Sequence, residues 1–212
     1  MFFILKKIYA GQSLLRVLMN LGFKRYALSG VVVDVGGGRA PDYFEYFGMK
    51  HVTYVTPVDG SFSGVDFEKD TLPFMEGSVD TVVCANVLEH VYNHQFLIGE
   101  MKRILKPDGT LIGFVPFLIQ YHPDPHDYFR YTKEALHRMF SDAGFTDVDI
   151  REIGGGPFLA NFNNIVLSIP RIVRVLLYPV YAGLDRLFLV LRPFATLRYP
   201  LGFIYSMKKP QP

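Results

Sequence analysis

The sequence predicts an α/β protein: a doubly wound, mostly parallel sheet of seven strands, helices on both faces, and an antiparallel last strand. Three observations predict it. Residues 31–35 form a short run of apolar β-branched residues interrupted only by Asp34, followed at once by Gly36, Gly37 and Gly38 and then by Pro41, which suits the first turn of a helix. Residues 81–85 form a second apolar run of strand length. Leu97, Met101, Ile104 and Leu105 recur at helical spacing, and Lys106-Pro107-Asp108-Gly109 stops that helix before a further strand over 110–117. Strands alternating with amphipathic helices build a parallel sheet.

At 212 residues the chain is long enough for one domain with a sizeable core. The single Cys84 excludes an internal disulfide and fits a reducing, cytoplasmic compartment. No Cys/His cluster has zinc-site spacing, so no metal is expected. Apolar residues precede Lys6 and Lys7, the reverse of a secretory signal. Charge is uneven. The first 30 residues carry Lys6, Lys7, Arg16, Lys24 and Arg25 and no acid, and residues 153–212 carry seven basic residues against Asp185 alone. The middle is therefore acidic. Basic flanks suggest an anionic partner, and an acidic centre without a recognisable motif argues against nucleic acid.

Residues 1–30 read as an N-terminal amphipathic helical segment, broken near Gly11; it packs on the core or lies in the plane of a membrane. Residues 31–212 form the main domain. A short helix over 41–47 ends at Gly48, and the second strand follows over 51–56. Thr132 caps a helix that stops at Gly144, the sixth strand covers 146–153, and the last covers 201–208. Between those two lies an apolar insert at about 158–198, far longer than a hairpin loop. Ser168 and Pro170 start one helix, and Pro179 breaks it and begins another that runs to about Leu191. Arg171, Arg174, Asp185 and Arg186 interrupt every apolar window long enough to cross a bilayer. The two helices pack within the fold, pair in a homodimer, or lie on a membrane.

The glycine turn carries the chemistry. A dinucleotide fingerprint fails because its third glycine falls on Pro41, which disfavours a nicotinamide-linked oxidoreductase. Instead a carboxylate, Asp34, ends the strand, and it would suit a ligand with an ammonium group. Asp34-x-Gly36-x-Gly38 resembles the first motif of class I S-adenosylmethionine-dependent methyltransferases, in a Rossmann-like sheet. The likeness extends through Asp66 and the Leu72-Pro73-Phe74 turn, through Val87-Leu88-Glu89-His90, and through the run from Glu100 to Thr110. The resemblance implies that Asp34, Gly36, Gly37, Gly38, Asp66 and Asn86 line S-adenosyl-L-methionine, with Asp66 near adenine. Thr56 stands where the family keeps an acid for the ribose, and Asp59 is the alternative.

The stretch from Gln120 to Thr132 is dense in polar side chains and follows the fifth strand, so it overhangs the pocket. It resembles a loop of type 11 methyltransferases associated with polysaccharide and glycolipid synthesis. His122, Asp127 and His126 are the candidate catalytic residues, with Asp124 a further base and Arg130 a clamp for an anionic group; the alternative is a structural loop in which Asp127 pairs with Arg130 while Tyr128 and Tyr131 pack. The implied reaction is methyl transfer to an oxygen, less readily a nitrogen or carbon, of a small-molecule, glycan or glycolipid acceptor at the cytoplasmic face of a membrane. The competing reading is a catalytically silent membrane- or partner-binding module on the same scaffold.

Overall fold

The computed structural model describes residues 1–38, 41–58 and 64–211. Two helices open the chain, α1 (Phe2–Tyr9) and α2 (Leu14–Phe23), separated at Gly11. The hydroxyl of Ser13 accepts the Arg16 N–H and caps α2. The strands are β1 (Ala27–Val35), β2 (Gly48–Val58), β3 (Val79–Ala85), β4 (Leu105–Pro116), β5 (Thr146–Gly154) and β6 (Pro200–Lys208). Between them lie α3 (His94–Ile104), α4 (Lys133–Asp142), α5 (Pro157–Ile165) and α6 (Arg171–Leu191). The strand order is β2-β1-β3-β4-β6-β5. The first four are parallel, and β6 runs antiparallel between β4 and β5.

Seven strands were expected, and the sheet has six among the described residues. The family resemblance places the end of a third strand near Asp66, where no strand forms. There the Asp70 carboxylate accepts the Asp66 N–H, and Asp66 in turn accepts the Glu68 N–H. These local bonds satisfy backbone groups that a ladder would otherwise pair.

One face of the sheet packs against α3 and α4 through residues such as Leu97, Met101, Leu136 and Phe140. The other packs against α2 and a single 3-10 turn, Asp42–Tyr46, through Met19, Phe23, Tyr43 and Phe47. Asp42 ties this turn to α2 by accepting from Gln12, Arg16 and Asn20. The N-terminal helices thus pack on the core, although Phe2 and Tyr9 stay exposed. A third apolar cluster joins α1, α5 and α6 around Ile8, Phe162 and Tyr178.

The insert departs from expectation. Pro179 does not break the helix: α6 runs uninterrupted for 21 residues with Pro179 inside it. Pro179 is exposed, so the carbonyl that loses its N–H partner can turn to water. Asp185 holds α6 in place. Its carboxylate is buried and accepts the N–H groups of Gly156, Phe158 and Leu159 at 2.8–2.9 Å, capping the start of α5. Asp185→Ala leaves these donors without a partner and is expected to cost about 3 kcal/mol. Thermal denaturation should show a drop of roughly 6–12 °C for a chain of this size.

Glu100 gives a pH signature. Its carboxylate accepts from the Arg103 guanidinium and from the Leu72 N–H, fixing the turn between β2 and β3. The Arg103 bond holds its carboxyl below the usual range in spite of burial. This contribution is therefore complete above the unfolded pKa of about 4.3 and is lost as the pH falls through the lower folded value. Glu100→Gln should lower the urea midpoint at pH 7, and the difference from the parent should shrink as the medium is acidified below pH 4.

Candidate functional site

The site lies beyond the carboxyl ends of β1 and β3. After β1 the chain turns at Gly36, whose φ is +78° and whose N–H donates to the Val58 carbonyl at 2.7 Å. A Cβ at Gly36 would stand 2.2 Å from Val87 Cγ2, so the close approach of the two loops requires glycine. A Cβ on Gly37 would meet the Asp34 carboxylate at 1.5 Å.

Asp34 therefore sits beneath the turn. It is fully buried and accepts the Tyr43 hydroxyl at 2.7 and 2.8 Å. Burial, then this carboxylate, push the Tyr43 phenol far above its usual pKa, so it remains a donor. Asp34, expected to line the cofactor, thus stands beneath the turn with its carboxylate on Tyr43. Its carboxylate braces the glycine turn from below, because the adjoining glycines and Tyr43 close over it.

Above the turn is a cavity of about 940 Å³, walled by Gly36, Asn86 and Val87, by Gly64–Lys69, by His90 and Val91, and by Asp124–His126 and Tyr128. Asn86 adopts a left-handed conformation, φ 56°, which asparagine tolerates, and its N–H donates to Phe114 O. Asp66 lies on the rim, where its carboxylate is engaged by the Glu68 N–H and by Lys69 Nζ at 2.9 Å. Thr56 is half-buried on β2 and is not on the cavity wall. Asp59 lies outside the described residues, and among the described residues no atom beyond its chain neighbours lies within 4 Å of where a Gly38 Cβ would be.

A second cavity, about 350 Å³, adjoins the first and shares Asn86, His90 and Asp124 with it. Its other walls come from α2 (Leu15, Arg16, Met19), from Ile119, Gln120 and His122, and from Asn163 and Leu167.

The polar loop after β4 closes this side. Asp127 is its hub: the carboxylate accepts both Arg130 Nη atoms, at 2.5 and 2.7 Å, and the His122 N–H at 2.9 Å. Its side chain is 1% exposed, and Arg130 holds its carboxyl down to about 2. Such a carboxylate is a poor base. The expectation of Asp127 as a proton acceptor is corrected to one of support, as is that of Arg130 as a free anion clamp, since its guanidinium is spent on Asp127, Phe129 O and Gln120 O. The loop is pinned to the core where Glu89 O accepts the Tyr128 N–H and Leu88 O accepts the Tyr131 hydroxyl. His126 is exposed at the mouth of the larger cavity, and Asp124 is exposed beside it.

His90 and His122 come together, with ring centroids 5.1 Å apart and nearly perpendicular. Behind them stands Glu89, which sequence reasoning did not single out. Its carboxylate is fully buried, and burial pushes its pKa up to about 8. Glu89 Oε1 lies 3.6 Å from His90 Nε2 and 3.9 Å from His122 Nε2. The available signal was an acidic residue inside the apolar run Val87-Leu88 just before His90. Burial, the largest influence, holds the His122 imidazole below its ordinary pKa, favouring its neutral form.

Comparison with known proteins identifies the core. Residues 33–113 match a family model described as a methyltransferase domain. An uncharacterized methyltransferase of Mycobacterium sp. (strain KMS) is 28% identical over 166 residues, covering 66% of this chain and 64% of the relative. The chain thus spans less than two thirds of that relative's length. A probable S-adenosylmethionine-dependent methyltransferase of Mycobacterium tuberculosis is 30% identical over 98 residues, 43% of this chain and 36% of the relative. Among solved structures, an S-adenosylmethionine-dependent methyltransferase from Archaeoglobus fulgidus superposes with a TM-score of 0.54 at 14% identity, covering 98% and 99% of the two chains, which shows a shared Rossmann-like fold. The likeness is therefore to S-adenosylmethionine-dependent methyltransferases, and it centres on residues 33–113. The larger cavity fits S-adenosylmethionine: its volume lies in the range of small-molecule sites, and the missing Cβ at Gly36 keeps its floor open.

Proposed function

We propose that the whole chain is an S-adenosylmethionine-dependent methyltransferase acting on a hydroxyl oxygen of a sugar, a lipid-linked glycan or another amphiphilic acceptor at an anionic membrane surface. The observation that carries the reading is the meeting of the two cavities at Asn86 and His90. A cofactor in the larger and an acceptor in the smaller would have their reacting atoms side by side there. When bound, the cofactor supplies a methyl on a positively charged sulfur; the acceptor oxygen forms the new C–O bond as the C–S bond breaks, and that electron pair stays on sulfur.

The chain's residues would do the rest. The backbone of Gly36–Gly38 receives the amino-acid end of the cofactor, braced by Asp34 below. Asn86 and Val87 line its middle, and Asp66 lies towards adenine. His90 and His122 hold the acceptor oxygen, and His126 at the open mouth takes the proton it loses. Asp127 and Arg130 keep His122 in place.

Support for the membrane part lies on α6. Ile172, Leu176, Val180, Leu184, Leu187 and Leu191 are exposed and fall within an arc of about 120° at 3.6 residues per turn. Phe194 and Leu197 extend this face, and Arg171, Arg186, Arg192 and Arg198 are exposed along the same segment. The opposite face, with Tyr178 and Asp185, is buried against α5. Among the described residues no helix is long and apolar enough to cross a bilayer, so α6 would lie in its surface.

Two measurements test the reading. Labelled cofactor incubated with total lipid and glycan extract should put label into one of those fractions. Cofactor binding with no label in any fraction would instead favour a cofactor-binding module without turnover. In flotation with anionic vesicles at low salt, the protein should rise with the lipid, and Leu176→Glu combined with Leu187→Glu should leave it at the bottom. Parent protein that stays at the bottom as a dimer would mean that a second copy covers α6.

A further inference from the structure

We propose that Glu89, His90 and His122 bind a divalent transition-metal ion, and that this ion, with its open positions turned to the smaller cavity, takes the acceptor's oxygen as a ligand. The role of the ion rests on the methyl-transfer reading; its binding does not.

Three observations converge on the site. First, both carboxylate oxygens of Glu89 are buried and have no hydrogen-bond partner among the described residues. A buried, unpaired carboxylate is costly unless a cation or proton accompanies it. Second, one ligand atom from each of the three residues lies within 4.8 Å of the others, with Glu89 Oε1 at 3.6 and 3.9 Å from the two Nε2 atoms. Bonds of about 2.0–2.2 Å to one ion put neighbouring ligand atoms roughly 3–3.5 Å apart. Drawing atoms that lie within 4.8 Å of one another to that spacing takes side-chain movement of up to about 1–2 Å, in which the half-buried His122 can share.

Third, the far side of each imidazole is already set. His90 Nδ1 lies 2.5 Å from the His126 carbonyl. A carbonyl can only accept, so Nδ1 carries the proton and Nε2 keeps its lone pair towards Glu89. His122 Nδ1 faces Asp127 Oδ2 at 3.4 Å and Arg130 Nη2 at 3.2 Å. Arg130 Nη2 can only donate, so in this bond Nδ1 accepts and the His122 ring must exchange its Nε2 proton for a metal ion. Hydrogen bonds of this kind orient metal-binding histidines in general.

Two imidazoles and one carboxylate suit Zn²⁺, Mn²⁺, Fe²⁺ or Co²⁺ rather than Mg²⁺ or Ca²⁺, which prefer oxygen. His90 lines both cavities, so an ion here borders the point where the two meet. Bound to it, an acceptor hydroxyl loses its proton more readily, and His126 takes that proton before the oxygen attacks the methyl carbon.

The test uses the full chain without an affinity tag, treated with chelator and titrated with Co²⁺ by absorption spectroscopy and calorimetry. One equivalent should bind and produce visible ligand-field bands, and Zn²⁺ should displace it. Glu89→Gln and His122→Asn should each weaken binding at least 100-fold, and Asp127→Asn about 10- to 100-fold. Circular dichroism and S-adenosylhomocysteine binding by the same samples report whether each variant folds. Parent protein that binds the thioether but no Co²⁺ overturns the metal site and leaves the methyltransferase reading standing. Co²⁺ binding without thioether binding does the reverse. Equal Co²⁺ affinity in the parent and both ligand variants also overturns the site.

Discussion

Gly36→Ala is expected to weaken S-adenosylhomocysteine binding at least 100-fold, close to 3 kcal/mol at about 1.4 kcal/mol per tenfold. Two effects add at this position. A side chain at φ +78° is strained by roughly 1–2 kcal/mol. Its Cβ would also stand 2.2 Å from Val87 Cγ2. Val87 is itself buried and packed in the core beneath the cavity, so it has little room to withdraw. The turn must therefore move, taking with it the N–H bond to Val58 and the cover over Asp34. Gly38→Ala is the matched control. Gly38 is not among the positive-φ glycines, and its Cβ would meet none of the described residues beyond its chain neighbours, so that variant should melt like the parent. Calorimetry on both, with melting curves, separates loss of the site from loss of the fold. Thioether affinity unchanged in Gly36→Ala would mean that this turn is not the cavity's floor.

The second large effect is expected at Asp127. Asp127→Ala removes the acceptor for two guanidinium nitrogens and for the His122 N–H. Breaking a buried charged pair by deleting one partner costs roughly 3–5 kcal/mol, and the low end applies here because Arg130 is partly solvated. The damage to turnover should be larger than the damage to binding. His122 leaves its place in the smaller cavity, whereas the cofactor cavity keeps its glycine turn and Asn86. We expect kcat to fall 100- to 1,000-fold with S-adenosylhomocysteine affinity changed by less than tenfold. Steady-state kinetics with separate kcat and KM values give the answer. An Asp127→Ala enzyme with parental kcat would mean that the loop does not position the acceptor side.

Much of the fold was legible because burial imposes a period on the sequence. The apolar runs at Val31 and Thr81, the spacing of Leu97, Met101 and Ile104, and the cap at Thr132 each specify a local element without reference to the rest. What was not legible depends on partners distant in sequence. Pro179 marks a helix end in isolation, but in the folded chain α6 is held on both sides of it, by Tyr178 against Phe162 and by Asp185 at the start of α5. Asp66 sat beside Val65 as if in a strand, yet Asp70 captured its backbone in a turn.

The site shows the same division. Gly36 and Asn86 could be placed because a backbone need travels with the motif. Asp34 could be placed at the turn but not given its partner, since the Tyr43 hydroxyl that it accepts lies nine residues on. Asp127 and Arg130 read in one dimension either as free chemistry or as a structural pair, and they are bound to each other. Glu89 passed unnoticed because its isolation appears only when the loop from Gln120 to Thr132 folds over it and brings His122 to its side.

The central claim is that the hollow above Gly36 and beside Asn86 holds the S-adenosyl group. Titration of the purified full chain with S-adenosylhomocysteine by calorimetry tests it most directly. The account predicts saturable one-to-one binding with a dissociation constant in the micromolar range, about −7 to −8 kcal/mol, greatly weakened by Gly36→Ala. No heat from the folded parent protein at high micromolar thioether would contradict it.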